Sequence, residues 1–207
     1  MTSLTSLFVT RLYEASLAEE PGFPALLADL AAEIRTLAVD DAAGRAWCKA
    51  HGYRGYTSYA SLDDLPVRSS SFGALKRRLD GHARAYAEAL AFDLGGRRLK
   101  LDSLWVNLLR PGAAHSGHVH PHSVLSGTLY VETPSGSGAI RFEDPRLGLM
   151  MAAPTRRADA PEDARAFVRR TPAPGGLLLW ESWLRHEVEP HAGRGDRMSV
   201  SFNYRWG

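Results

Sequence analysis

The segment "RMSVSFNYRW", residues 197–206, alternates with a period of two. Met198, Val200, Phe202 and Tyr204 fall on one face, and Arg197, Ser199, Ser201 and Asn203 on the other. That period belongs to a strand with one apolar and one polar side. Such a strand must bury its apolar face. In a simple sandwich its polar face meets solvent, whereas in a barrel with a ligand cavity the polar face lines the inside. Four more apolar runs precede it: "KLDSLWVNLLRPG", "SVLSGTLYVETP", "GAIRFEDP" and "GGLLLWES". Each is stopped or framed by Gly and Pro. Short strands at this spacing predict a β-sandwich or barrel, not βαβ units.

The chain divides near residue 100. Residues 1–100 read as a helical region packing on a core formed by 101–207. Phe23, Leu26, Leu27, Leu30, Ile34 and Leu37 recur at helical spacing, as do Leu75, Leu79, Ala83, Tyr86 and Leu90. Ser70 or Ser71 is the expected cap of the second helix. Residues 51–68 read as irregular loop. Residues 146–173 are long and polar, which suits a lid or binding loop. At 207 residues the chain buries a full core without a disulfide or structural metal. Its net charge of +2 gives no nucleic-acid footprint, and no run is long and apolar enough to span a membrane. A single cysteine, Cys48, and the lack of a signal-peptide pattern fit a reducing cytoplasm. The Ala-, Arg- and Gly-rich usage suggests a bacterial source.

The second constraint is "HSGHVHPH", in which His115, His118, His120 and His122 fall within eight positions. His118 and His120 are two apart, so on extended chain they point the same way and form a pair of metal ligands. A third ligand must come from a distant strand, and "WLRHEVEP" offers His186. Three facial protein ligands leave positions open for a cosubstrate and dioxygen, the arrangement of non-haem iron oxygenases. Imidazole also suits zinc, copper and nickel, so the residues alone do not choose the metal. A lone His-x-His is often only a surface loop; the third histidine is what raises it above that. His115, His122 and His191 read as solvated loop residues.

The segments around these histidines resemble the iron(II)/2-oxoglutarate-dependent oxygenases, in particular a bacterial and phage group with His-x-His, similar to the prolyl-hydroxylase-like enzymes. The resemblance runs from about residue 104 to 206. It rests on "WVNLLRPGAAHSGHVHPHSVLSGTLYV", "GAIRFEDPR", "PAPGGLLLWESWLRHEVEP" and "GDRMSVSFNY". It implies a mainly β protein with some α, a double-stranded β-helix (jelly-roll) core with the N-terminal helices packed outside. It implies a dioxygenase that uses Fe(II), dioxygen and 2-oxoglutarate to hydroxylate a small-molecule or protein substrate, with His118, His120 and His186 as catalytic metal ligands. Most of the superfamily has a carboxylate where His120 stands, so this site holds one negative charge fewer.

A dicarboxylate cosubstrate needs a cation at its far end. Arg197, eleven residues after His186 and on the polar face of the last strand, can grip a carboxylate with two parallel hydrogen bonds. Ser199 projects the same way and adds a hydroxyl, and "RMSVS" matches the family's Arg-x-Ser pair. The resemblance places a cosubstrate-binding tyrosine at Tyr130, which shares strand parity with His118 and His120 if no bulge intervenes. Structural roles compete: Arg197 could pair with Glu187 or Asp196, and Tyr130 could be core.

A non-catalytic, cupin-like metal-binding protein fits less well. Its glutamate is missing at Val124 and Leu125, and no histidine follows Pro174-Gly175-Gly176 closely. A three-histidine dioxygenase that needs no 2-oxoglutarate stays open, with Arg197 as the discriminator. Trp180 and Trp183 flank the approach to His186, as core or as a pocket wall.

Overall fold

The computed structural model describes residues 2–207. Ten strands form two antiparallel sheets. The larger contains β1 (Tyr13–Ser16), β8 (Gly176–Glu181), β5 (Leu125–Glu132), β10 (Arg197–Trp206), β3 (Leu99–Leu109) and β2 (Gly55–Thr57), in that spatial order. The smaller contains β4 (His115–His118), β9 (His186–Val188), β6 (Ile140–Glu143) and β7 (Phe167–Arg170).

The alternation of β10 organises the larger sheet. Met198, Val200 and Phe202 are paired in register with Leu108, Val106 and Leu104 of β3. With Leu129, Val131, Leu177 and Leu179 they form one apolar face, all at or near full burial. Two helices cover it. α1 (Phe23–Asp40) buries Phe23, Leu26, Leu30 and Ile34, and α4 (Ser70–Ala89) buries Phe72, Leu75, Leu79, Ala83 and Tyr86. These residues and the sheet's apolar face make one continuous core. Each large apolar side chain fully buried there stabilises the fold by about 1.5–3 kcal/mol. α4 is capped by Ser69, whose Oγ accepts from the backbone N–H groups of Ser71 and Phe72, one residue earlier than the sequence suggested.

The opposite, polar face of the sheet looks inward at the smaller sheet. In register across it lie Thr57, Asn107, Ser199 and Tyr130; then Trp105, Ser201 and Thr128; then Ser103, Asn203, Ser126 and Trp180. Polar side chains cannot be buried without partners, and these bond one another. Thr57 Oγ1 donates to Asn107 Oδ1 (2.9 Å), and the Asn107 amide donates to Ser201 Oγ (3.1 Å). Ser126 donates to Asn203 Oδ1 (2.8 Å), whose amide donates to Ser103 (3.1 Å). Of the two faces the sequence allowed for β10, the polar one is thus the inside.

Residues 51–68 are not all loop. They hold β2 and a short helix, α3 (Leu65–Arg68), and β2 extends the sheet beside β3. A further helix, α2 (Ala42–Ala50), precedes them, with the Asp41 carboxylate accepting from the Gly44 N–H. The 146–173 segment contains two short 3-10 turns and ends in β7. Among the described residues no helix is long and apolar enough to cross a membrane.

Candidate metal and cosubstrate site

β3 ends at the Pro111-Gly112 turn, where Gly112 adopts φ +81, a conformation that favours glycine. The chain reverses into β4, whose last residue, His118, pairs in register with His186 at the start of β9. A register shift between His115 and His118 marks an irregularity in the pairing. The turn after β4 then brings His120 beside them. One ring nitrogen from each of His118, His120 and His186 lies within 4.8 Å of the others.

Backbone carbonyls fix two of these rings. His118 Nδ1 lies 2.7 Å from the Ser116 carbonyl and His186 Nδ1 lies 2.9 Å from that of Leu184. A carbonyl only accepts, so Nδ1 bears the proton and each Nε2 presents a lone pair to the site. His120 Nε2 stands 3.3 Å from His186 Nε2. Two lone pairs at that distance repel unless a proton or a cation lies between them. Burial pushes His120 down to about 4 and His186 to about 3, so both are neutral at pH 7. The donor set therefore fits a divalent metal such as iron(II): three converging imidazoles, two of them with Nε2 lone pairs turned to the site. Trp180 stands edge-on to His186 (centroids 4.6 Å apart) and Trp105 stacks on His120 (5.9 Å), which restrains both rings.

The histidines open onto a cavity of about 320 Å³ between the sheets. Arg197, Ser199 and Tyr130 line the same cavity. Arg197 is only 2% exposed and its Nε has no hydrogen-bond partner. The groups that favour its charge are phenols, Tyr130 and Tyr53, against a larger burial effect that lowers its pKa. Its guanidinium lies over the Tyr130 ring, 5.1 Å from the centroid. Glu187, which could have paired with it, instead meets Arg141 at 2.8 Å. The Tyr130 hydroxyl is also buried, with no partner other than the neighbouring Arg197, and burial pushes its pKa up to about 12. No acidic residue lines the cavity among the described residues. An unpaired buried cation is costly, and with a buried phenol beside it the site is built for an anion.

Residues 103–203 match the model of a family described as "Putative 2OG-Fe(II) oxygenase". Over these residues the chain is similar to the 2OG-Fe(II) oxygenases. Iron(II) and 2-oxoglutarate are the cofactors that family's description names, and the oxygenase core holds the histidine cluster and the buried arginine. Solved structures resemble it across nearly the whole chain. A Pseudomonas putida prolyl-4-hydroxylase is 20% identical with a TM-score of 0.62, covering 96% of this chain and 94% of its own. The non-heme alpha ketoglutarate dependent epimerase SnoN of nogalamycin biosynthesis is 16% identical (TM-score 0.61, 95% and 79%). HygX from Streptomyces hygroscopicus, solved with nickel and 2-oxoglutarate bound, is 14% identical (TM-score 0.59, 95% and 82%). At these identities the likeness concerns the fold. A comparison with curated proteins gives no significant match.

Three residues stand differently from what the sequence predicts. Tyr130 reaches the cavity from the sheet opposite the histidines, so strand parity with His118 was not the reason for its placement. His191 is not a solvated loop residue. It is 1% exposed, with its ring nitrogens 3.3 Å from the Gly136 carbonyl and 2.9 Å from that of Gly195. His115 is not solvated either. Its Nε2 lies 2.9 Å from the Tyr53 hydroxyl, and it lines the cavity. Tyr53, Thr57, Trp105 and Asn107 were missed as cavity residues. Asn107, a lone amide in an apolar strand, was the one legible signal.

Proposed function

We propose that the protein is an iron(II)- and 2-oxoglutarate-dependent dioxygenase with a double-stranded β-helix (jelly-roll) core. His118, His120 and His186 hold the metal, and Arg197, Ser199 and Tyr130 hold the far carboxylate of 2-oxoglutarate. One observation carries this reading: a buried, unpaired guanidinium shares a cavity with three converging imidazoles. The charges support it. Three histidines bring no negative charge to the metal, so an anionic ligand is favoured there. A 2-oxo diacid supplies two negative charges, one end for the metal and one for Arg197. A three-histidine dioxygenase without this cosubstrate has no use for the buried cation.

When bound, iron and 2-oxoglutarate supply the activation of dioxygen, the cosubstrate leaving as succinate and CO2. The chain's own contribution is placement. The carbonyls of Ser116 and Leu184 hold the Nδ1 protons of His118 and His186, so that their Nε2 atoms face inward. Trp105, Trp180 and Val188 wall the cavity. α1 and α4 of the N-terminal region pack on the outside of the core, while Trp47 of α2 and Tyr53 and Thr57 after it line the cavity. A small molecule or an exposed protein side chain is the substrate, and dioxygen the co-reactant.

The test is turnover of 2-oxoglutarate to succinate by the iron-loaded protein in air. Slow succinate formation that needs iron and disappears in His186→Ala supports the reading. Iron-loaded protein that yields no succinate and shows no affinity for 2-oxoglutarate removes it.

A further inference from the structure

The cavity has two ends. The metal ligands and Trp105 mark one. Arg197 marks the other, in register with Leu109 at the end of β3. On the smaller sheet, His115 stands three residues from His118 toward that same end, about 10 Å along an extended strand. Between the sheets at this end sits Tyr53, from the segment between α2 and β2. Its hydroxyl lies 2.9 Å from His115 Nε2 on β4 and 3.3 Å from Asn107 Oδ1 on β3. One phenol thus bridges the two sheets. Its ring packs against Leu109, Ala113 and Val188, with the Trp47 ring behind it (centroids 6.4 Å apart). Tyr53, His115 and Asn107 all line the cavity that holds Arg197. Burial holds the His115 imidazole neutral and the Tyr53 phenol protonated, so this end keeps Arg197's single positive charge, matched to one carboxylate.

We propose that Tyr53, braced by His115 and Asn107, is the end wall of the carboxylate pocket and sets the length of the 2-oxo diacid that the site accepts. The inference rests on the cosubstrate reading above. The ring limits length; the hydroxyl holds the two sheets at the separation that places Arg197. A diacid longer by one methylene would drive its carboxylate past Arg197 into the phenol.

The experiment is anaerobic calorimetry of the iron(II)-loaded protein with 2-oxoglutarate and with 2-oxoadipate, one carbon longer. The parent is expected to bind 2-oxoglutarate at least tenfold more tightly. Tyr53→Ala is expected to cut that preference at least tenfold, through a gain for 2-oxoadipate. Tyr53→Phe, which keeps the ring, is expected to keep the preference while weakening both acids together. A purely structural tyrosine would weaken both acids equally in every variant, and that result overturns the proposal. If Tyr53→Ala does not fold, Tyr53→Leu keeps the contact with Leu109 and Val188, shortens the wall and serves the same comparison. A parent that binds neither acid defeats the cosubstrate reading itself. A parent that prefers 2-oxoglutarate, with a preference no variant moves, defeats only the assignment of Tyr53.

Discussion

Arg197→Met should make the ligand-free protein more stable while weakening its response to 2-oxoglutarate. The side chain is 2% exposed, makes no salt bridge, and its Nε has no hydrogen-bond partner. Methionine retains an unbranched apolar stem and removes the charge. Replacing buried charge with apolar side chains of similar volume has stabilised other proteins by about 1–4 kcal/mol. For a chain of this size, ~1 kcal/mol corresponds to about 2–4 °C in Tm. A gain near 2 kcal/mol would therefore raise Tm by about 4–8 °C. The iron-loaded parent should gain about 2.7 kcal/mol from 2-oxoglutarate at a hundredfold excess over Kd. The variant should gain much less from 2-oxoglutarate at the same concentration. Thermal melts with and without ligand read both effects. A variant less stable than the parent without ligand, or one that responds to 2-oxoglutarate like the parent, would refute the reasoning, because Arg197 would then be a structural residue.

Three more outcomes follow from the site. Alanine at His118, His120 or His186 should each lower iron(II) affinity at least a hundredfold, measured by competition with a chelator, while leaving the fold intact by circular dichroism. The metal-free protein should lose stability in acid. Burial holds His115 and His120 at about 4 and His186 at about 3, below the ~6.5 of an unfolded chain. Between those values the unfolded state binds more protons, so stability is full above pH ~6.5 and falls as pH drops toward 4 and then 3, by on the order of 3 kcal/mol for each group. Urea midpoints at pH 7 and pH 4.5 would check the sign, and an unchanged midpoint would contradict it. His191→Leu removes the ring nitrogen 2.9 Å from the Gly195 carbonyl and should cost about 1–3 kcal/mol, read as a lower urea midpoint.

Much of this was legible in the sequence because period and punctuation determine it. The alternation of β10 gave its two faces, and Gly and Pro delimited β3, β5, β6 and β8. The helical spacing of Phe23, Leu26, Leu30 and Ile34 gave α1. The histidine cluster was legible because His118 and His120 are neighbours in the chain and His186 opens a strand. The shortest elements were hidden. β2, β4 and β9 span only three or four residues, too few for a period to show, and pairing in the sheet determines them. The roles of Tyr53, His115 and Asn107 were hidden for the same reason: their contacts cross 54 and 62 positions of sequence. The burial of His191 comes from two loop carbonyls, which composition does not reveal.

The most direct test of the central claim is an anaerobic titration of the iron(II)-loaded protein with 2-oxoglutarate, watching for the visible charge-transfer band of a chelated iron–oxo-acid complex. A saturable band in the parent, absent in His120→Ala and shifted to higher ligand concentration in Arg197→Met, is the result this site predicts. Iron bound with full occupancy and no band at any concentration of 2-oxoglutarate would contradict it.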